Sequence, residues 1–140
     1  MDQQQLKEQI VKIIDQNKIG TLATVKNRKP HSRYMTFFNE NLTLYTPTDI
    51  ETHKVEEIDE NPNVHILLGY DGEGFGDTYV EVEGTASIEK SEELKQRLWD
   101  DNMKMWFDGP NDENYIVLKI IPDQIRLMNK KGEPPHTLEV

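Results

Sequence analysis

Residues 21–38 read Thr21-Leu22-Ala23-Thr24-Val25-Lys26-Asn27-Arg28-Lys29-Pro30-His31-Ser32-Arg33-Tyr34-Met35-Thr36-Phe37-Phe38. Apolar and polar side chains alternate from Thr21 to Val25, which is typical of a strand with one face on a core. The segment from Asn27 to Pro30 has the composition of a turn, and His31 to Phe38 is a second extended run. The pattern predicts a β-hairpin, in which neighbouring strands run antiparallel.

Three other segments are predicted as helices. In the first, Asp2 can cap the helix, and the apolar residues fall on one face: Leu6, Ile10, Ile13 and Ile14. A short second helix follows the loop from Pro47 to Thr52, with Val55 and Ile58 facing inward. Ser91 can cap a third helix that continues to about Phe107. Its predicted apolar stripe is Leu94, Leu98 and Met105, beside Trp99, Met103 and Trp106.

The remaining strands are predicted at Leu42–Thr46, Val64–Tyr70, Thr78–Ile88, Tyr115–Ile121 and Ile125–Met128, with a break at Pro122. Gly72 to Gly76 superficially resembles a dinucleotide-binding loop, but a strand pattern follows it, so a hairpin turn is expected there. Six or seven strands joined by hairpins, with three helices, predict a mostly β fold: an antiparallel barrel with peripheral helices. We expect a single domain over residues 1–140, with a flexible tail at residues 133–140.

Composition narrows the function classes. The 140 residues include 16 Lys and Arg and 26 Asp and Glu, for a net charge of −10, which disfavours general nucleic-acid binding. No apolar run approaches the roughly 18 residues of a membrane span, so no membrane association is expected. Cysteine is absent, which favours a reducing cytoplasm. Hydrophobic residues are 35%, so a dimer interface or a ligand can complete the core.

Basic residues are concentrated in one part of this acidic chain. Residues 16–39 contain no acidic residue and five basic ones: Lys18, Lys26, Arg28, Lys29 and Arg33. Such an island suggests one locally held anion, such as a phosphate. For Lys26, Arg28 and Lys29, a solvent-exposed hairpin tip is the alternative. Arg33 lies within a strand, where it occupies either an edge position or a ligand clamp.

A second candidate site is the segment from Thr46 to Lys54. It joins a strand to a helix start, where free backbone N–H groups and the helix dipole favour a phosphate. Thr52 offers a hydroxyl group and Lys54 a mobile positive charge. The alternative is that Thr48, Asp49 and Thr52 are ordinary helix caps.

Several short motifs occur together in one order: His31–Thr36, Leu44–Thr46, Thr52–Lys54, Glu60–Val64, Val82–Ala86, Leu98-Trp99 and Phe107–Pro110. In this order and spacing they resemble the FMN-binding split-barrel family related to pyridoxamine 5'-phosphate oxidase, and within it the general stress protein 26 branch. The resemblance spans roughly residues 6 to 128.

The resemblance implies a homodimer with FMN at the subunit interface. It also implies roles for particular residues. Arg33 and Lys54 would hold the FMN phosphate, with Thr52 and His53 assisting. Tyr34, Met35 and Thr36 would line the isoalloxazine ring, Tyr45 and Thr46 would flank it, and Trp99 or Trp106 of the second subunit would complete the pocket.

The chain departs from the family pattern in two places. Ile125-Arg126-Leu127 stands where family members often have an aromatic residue after the proline, which puts one ring contact in doubt. The extension that resembles the substrate-binding part of the vitamin-oxidising enzyme is also absent, so pyridoxamine phosphate oxidation itself is not expected.

The expected function is flavin-dependent oxidation or reduction of an unidentified small molecule under stress. The sequence has no acid–base pair, no serine-triad signature and no metal-ligand spacing among its four histidines, which suits a protein whose cofactor is the reactive centre. Three alternatives stay open: a non-catalytic flavin-binding or sensing module, the same barrel with haem or a deazaflavin, and a dimerising protein with an empty pocket.

Overall fold

The hairpin predicted for residues 21–38 is present. In the computed structural model, which describes residues 1–72 and 77–140, β1 (Ile19–Lys26) pairs antiparallel with β2 (Lys29–Thr36). The turn residues Asn27 and Arg28 both have positive φ angles, 51° and 64°, as a tight two-residue hairpin turn requires.

The described strands form one antiparallel sheet, which confirms the predicted fold class. Besides β1 and β2 it contains β3 (Phe38–Glu40), β4 (Thr43–Asp49), β5 (Asn63–Leu68), β6 (Tyr79–Glu89), β7 (Tyr115–Met128) and β8 (His136–Leu138). The order is β2-β1-β5-β6-β7-β4-β3, with β8 paired to β7. The sheet curls into a half-barrel, and the Thr46 hydroxyl of β4 donates a 2.7 Å hydrogen bond to the Thr36 carbonyl of β2.

The helices α1 (Gln3–Gln16), α2 (His53–Glu60) and α3 (Glu92–Leu98) cover the sheet. Asp2 and Gln5 form a capping box at the start of α1, as its sequence allows. The main core joins α1 and α2 to the strands through Leu6, Ile10, Ile14, Ile58 and the inward residues of β1 and β4–β8. A second cluster joins α3 to β4 and β7 through Leu94, Leu98, Tyr45, Tyr115 and Val117. No helix in the described ranges is long and apolar enough to cross a membrane.

The third helix is shorter than predicted. Ser91 caps it as expected, accepting a hydrogen bond from the Leu94 amide, but it ends at Leu98 rather than near Phe107. Asp100 accepts from the Asn102 amide and starts a separate 3₁₀ turn at Asp101–Met105, because aspartate favours caps over helix interiors. The predicted apolar stripe is therefore broken: Met105 and Trp106 are exposed.

One strand prediction near the C-terminus was wrong. The expected break at Pro122 is absent, since β7 runs unbroken and Pro122 pairs with Gly84. Glu83 pairs with Gln124, so Asp123 is bulged out of the ladder, and a bulge lets a strand accommodate a residue with no N–H donor. Of the turn predicted at Gly72 to Gly76, residues 73–76 lie outside the described residues.

Within the tail predicted to be flexible, residues 136–138 pair with the sheet as β8. Leu138 of β8 pairs with Ile125 and is only 4% exposed. The Gln3 side chain of α1 donates to the Thr137 carbonyl and accepts from the Glu139 amide, at 3.2 and 2.8 Å. One buried leucine and these backbone bonds offset the entropy of ordering the segment.

Leu138→Ala tests this attachment. Removing a leucine side chain from a packed core should lower the free energy of unfolding by about 2–5 kcal/mol. Val140→Ala, two residues further on at an exposed position, is the matched control and should change it by less than about 0.5 kcal/mol. Urea unfolding at neutral pH measures both, and equal midpoints for the two variants would contradict the packing of β8.

Candidate functional site

Arg33 faces the inside of the half-barrel at its open edge. Its partner in the ladder is Leu22, a fully buried core residue, and directly paired residues share a face of the sheet. Its Nη1 donates to Thr24 Oγ1 at 2.8 Å and to the Leu22 carbonyl at 3.3 Å. Its Nη2 donates to Glu57 Oε2 at 3.2 Å. Of the two alternatives for Arg33, the edge position holds, since β2 is at the end of the strand order, and the ligand clamp stays a prediction.

Glu57 is the anionic partner of Arg33. It lies on α2, is only 5% exposed, and also accepts a hydrogen bond from the Thr24 hydroxyl. Burial raises the pKa of this carboxyl, but hydrogen bonds from Thr24 and Arg33 and the Arg33 charge outweigh burial, so the pKa lies below its ordinary value of 4.5. Glu57 is therefore a buried carboxylate, stabilised by groups from two strands.

The N-terminus of α2 has no side-chain cap. Thr52 occupies the N-cap position, but its side chain makes no capping bond. The Thr52 hydroxyl donates instead to the Asp49 carbonyl at 2.9 Å and accepts from Lys54 Nζ at 3.1 Å. Asp49 accepts from the Glu51 amide, before the helix begins. The ordinary-cap alternative does not hold for Thr52, which leaves amide donors at the first turn available to an anion.

Lys54 brings a second positive charge to the same place. Burial lowers the pKa of its ammonium group, and so does the nearby charge of Arg33, while Asp49 and Glu57 partly oppose the effect. Two cations that repel each other in a half-buried position are stabilised by a bound anion. We call Arg33, Thr52 and Lys54, with Thr24 and Glu57 behind them, the basic cluster.

The basic turn residues are separate from the basic cluster. Lys26, Arg28 and Lys29 are exposed at the tip of the β1–β2 hairpin, as the alternative interpretation predicts. His53, the first residue of α2, is exposed as well.

The predicted ring-lining residues are divided between the two faces of β2 and β4. On β2, Met35 packs against the main core, whereas Tyr34 is 79% exposed on the opposite face with Thr36. On β4, Thr46 is buried and bonded to Thr36. Tyr45 points to the other side, into the α3 cluster, where burial raises the pKa of its phenol. The structure thus brings Thr46 to β2 and leaves Tyr45 away from it.

The two tryptophans also differ. Trp99 packs against Tyr115 within its own chain, with ring centroids 5.7 Å apart. Trp106 is 69% exposed and stands beside the exposed Met105. Of the two residues named as contacts to a second subunit, Trp106 is the one whose indole is open to another chain.

Sequence reasoning missed two polar residues of the basic cluster, Thr24 and Glu57, which hold Arg33. Thr48, within the predicted segment Thr46 to Lys54, has a buried hydroxyl without a hydrogen-bond partner within residues 1–72 and 77–140. A signal for Thr24 was present, because it alternates with Leu22 and so shares the inward face. Glu57 gave no such signal, since it interrupts the apolar pair Val55 and Ile58 on a short helix.

The described part of the chain contains no group of three or more His, Asp or Glu side chains placed to hold a metal ion.

The half-barrel of antiparallel strands with peripheral helices is a split barrel, and the basic cluster lies at its open edge. A sequence model of the family described as pyridoxamine 5'-phosphate oxidase matches residues 6–129. The chain therefore belongs to the pyridoxamine 5'-phosphate oxidase family.

Its relatives include general stress proteins. The chain is 56% identical, over 100% of both sequences, to General stress protein 26 of Bacillus subtilis (strain 168). It is 43% identical to the General Stress Protein 26 from Bacillus anthracis str. Sterne, whose crystal structure it matches with a TM-score of 0.86 over 96% of this chain and 98% of that one.

Two more distant structures share the fold. One is an FAD-binding protein from Mesorhizobium loti, 20% identical, with a TM-score of 0.70 over 84% of this chain and 90% of that one. The other is a heme binding protein from Mycobacterium smegmatis, 15% identical, with a TM-score of 0.77 over 94% of this chain and 56% of that one. At these identities the likeness concerns the fold alone.

Glu57→Gln tests the buried ion pair through acid stability. Because the folded-state pKa of Glu57 is depressed, its contribution to stability is present above about pH 4.5 and is lost as pH falls through the folded value. At pH 7 the variant should lose about 1–3 kcal/mol of unfolding free energy. The difference from wild type should shrink between pH 4.5 and pH 3 in urea titrations.

Glu60→Gln, at an exposed position of the same helix, is the control. It should lie within about 0.5 kcal/mol of wild type at neutral pH. A Glu57→Gln deficit that stayed constant down to pH 3 would show that its charge is not what stabilises the fold.

Proposed function

We propose that this protein binds FMN, with the phosphate at the basic cluster, and that it performs flavin-dependent redox chemistry on an unidentified small molecule. The observation that carries the proposal is the pairing of Arg33 and Lys54 at the uncapped start of α2. The family membership supports a flavin, and the fold is shared with an FAD-binding protein.

The residues of the basic cluster fit a phosphate group by their chemistry. A phosphate dianion favours charge-assisted donors, and Arg33, Lys54 and the α2 amides supply them from two directions. Lys54 has its pKa lowered by burial and by Arg33, so a bound dianion would favour its charged form. Thr52 keeps the Lys54 ammonium close to the helix start through their 3.1 Å hydrogen bond.

The proposal needs a second chain to cover the isoalloxazine ring of FMN. Tyr34 of β2 and Leu67 of β5 both pair with Thr21 of β1, so the three lie in one row on one face of the sheet. Tyr34, Leu67 and the nearby Ile19 are exposed on this face, and exposed apolar groups in a row favour an interface. We infer a homodimer through this face, in which Trp106 of the other chain completes the flavin pocket.

Within this pocket the protein's part is binding and orientation. FMN, when bound, supplies the electron-transfer chemistry. Arg33 and Lys54 hold its phosphate, and Met35, Thr36 and Thr46 hold the edge of the barrel where β2 meets β4. Because cysteine is absent, the proposed location is the cytoplasm.

The visible spectrum of natively purified protein tests the proposal directly. The expected result is a flavin spectrum, with FMN released on denaturation at about one equivalent per chain and a dimer mass by light scattering. A haem spectrum would support the haem alternative instead. Protein that is colourless and does not take up added FMN would contradict the proposal, and holoprotein that neither NADH nor NADPH reduces would favour a flavin-binding module.

Lys54→Ala tests the phosphate position. Losing one charge-assisted contact should weaken FMN binding by about 10–150-fold in Kd, measured by quenching of flavin fluorescence. Lys29→Ala removes the same charge at the exposed hairpin tip and should bind FMN as wild type does. Arg33→Ala should weaken binding similarly, and it is best made together with Glu57→Gln so that no unpaired carboxylate stays buried. Wild-type affinity in both cluster variants would reject this site.

A further inference from the structure

Three side chains of the basic cluster, Arg33, Thr24 and Glu57, form a closed ring of hydrogen bonds. Arg33 Nη1 donates to Thr24 Oγ1 at 2.8 Å, the Thr24 hydroxyl donates to Glu57 Oε2, and Arg33 Nη2 donates to the same Glu57 oxygen at 3.2 Å. The Leu22 carbonyl takes a further Nη1 bond at 3.3 Å. The three bonds from Arg33 all use the end of the guanidinium formed by its two terminal nitrogens.

The Nε–Nη2 edge of the same guanidinium is available to a ligand. Arginine has five N–H groups in a fixed planar fork, and the three bonds from Arg33 to Thr24, the Leu22 carbonyl and Glu57 use three of them. The Nε group and the second Nη2 hydrogen have no partner within the described ranges of the chain, and they lie along one edge. That edge is the one that matches two oxygens of a phosphate or carboxylate. Arg97 shows this geometry in the same protein, since its Nε and Nη2 bind the two oxygens of Glu40 at 2.8 and 2.9 Å.

From this geometry we propose that Glu57 is a positioning residue: it anchors the end of the Arg33 guanidinium so that the Nε–Nη2 edge is presented to the phosphate of the ligand. An arginine on an edge strand otherwise loses several freely rotating torsions when it binds an anion, at a cost of order that of one immobilised side chain. Because Glu57 and Thr24 already hold the guanidinium in the free protein, less of that cost falls on binding.

The proposal makes a prediction opposite in sign to simple electrostatics. Glu57 is a negative charge close to a site for a dianion, so charge alone predicts that removing it tightens binding. Positioning predicts that removing it weakens binding. Glu56, the neighbouring residue on α2, is exposed and makes no contact with Arg33 within the described ranges, so it isolates the effect of charge.

The experiment compares FMN affinity in Glu57→Ala and Glu56→Gln. We expect Glu57→Ala to weaken FMN binding by about 3- to 10-fold, mainly through faster dissociation, and Glu56→Gln to bind as wild type or more tightly. Glu57→Ala that binds FMN as tightly as wild type or more tightly would overturn the positioning role and leave the phosphate site itself intact.

A second measurement does not depend on FMN. The Nη–H resonances of Arg33, assigned by their loss in Arg33→Lys, should be a distinct, slowly exchanging signal in the ligand-free protein, because these groups donate to Glu57 and Thr24, and the signal should be lost or averaged in Glu57→Ala. A signal that persists unchanged in Glu57→Ala would overturn the proposal. The inference rests on the proposed function for the identity of the ligand, so wild-type protein that binds no FMN would overturn that function, and this signal would still decide the role of Glu57.

Thr24→Val covers the case in which Glu57→Ala does not fold. It removes the hydroxyl of the ring without changing charge or much volume. We expect FMN binding weaker by about 2- to 5-fold, whereas electrostatics alone predicts no change. Unchanged affinity together with an unchanged Arg33 Nη–H signal in Thr24→Val would overturn the proposal.

Discussion

The register of the first hairpin is the constraint on which the candidate site depends. The two-residue turn at Asn27 and Arg28, both with positive φ, pairs Leu22 with Arg33. A slip of one residue would turn Tyr34 inward and Arg33 outward, because strand side chains alternate between faces. With the observed register, a charged side chain enters the edge of an apolar barrel, and it is stable there only because Glu57 and Thr24 meet it.

The Arg33–Glu57 ion pair links the edge strand β2 to α2, and it holds the arginine of the candidate phosphate site in place. The helix brings one carboxylate inward to neutralise Arg33, and it places Lys54 of its first turn close enough for the Arg33 charge to lower the pKa of the ammonium group. Two positive charges and one buried negative charge leave a net positive site of limited size. Such a site suits a single phosphate group within a chain of net charge −10, whose overall field repels polyanions.

Sequence reasoning predicted the elements more successfully than their ends. Alternation and turn residues identified β1 and β2, and Asp2 and Ser91 correctly marked helix starts. The errors came where distant contacts override local preference. Pro122 stays in β7 because a bulge opposite Glu83 and Gly84 accommodates it, and residues 136–138 join the sheet because the core accepts Leu138. Neither the bulge in β7 nor the packing of Leu138 in the core can be predicted from neighbouring residues in the sequence.

The sequence by itself determined the antiparallel hairpins, the inward faces of α1 and β1, the family and the basic character of the segment around Arg33, since each depends on residues close together in the chain. Only the tertiary structure decided which charge pairs with Arg33, that Tyr45 faces away from β2, and that Trp106 is left exposed. Arg33 and Glu57 are 24 residues apart, on a strand and a helix with a hairpin strand pair between them. Their contact arises from the curl of the sheet and the position of α2 over its edge, which no local pattern of residues specifies.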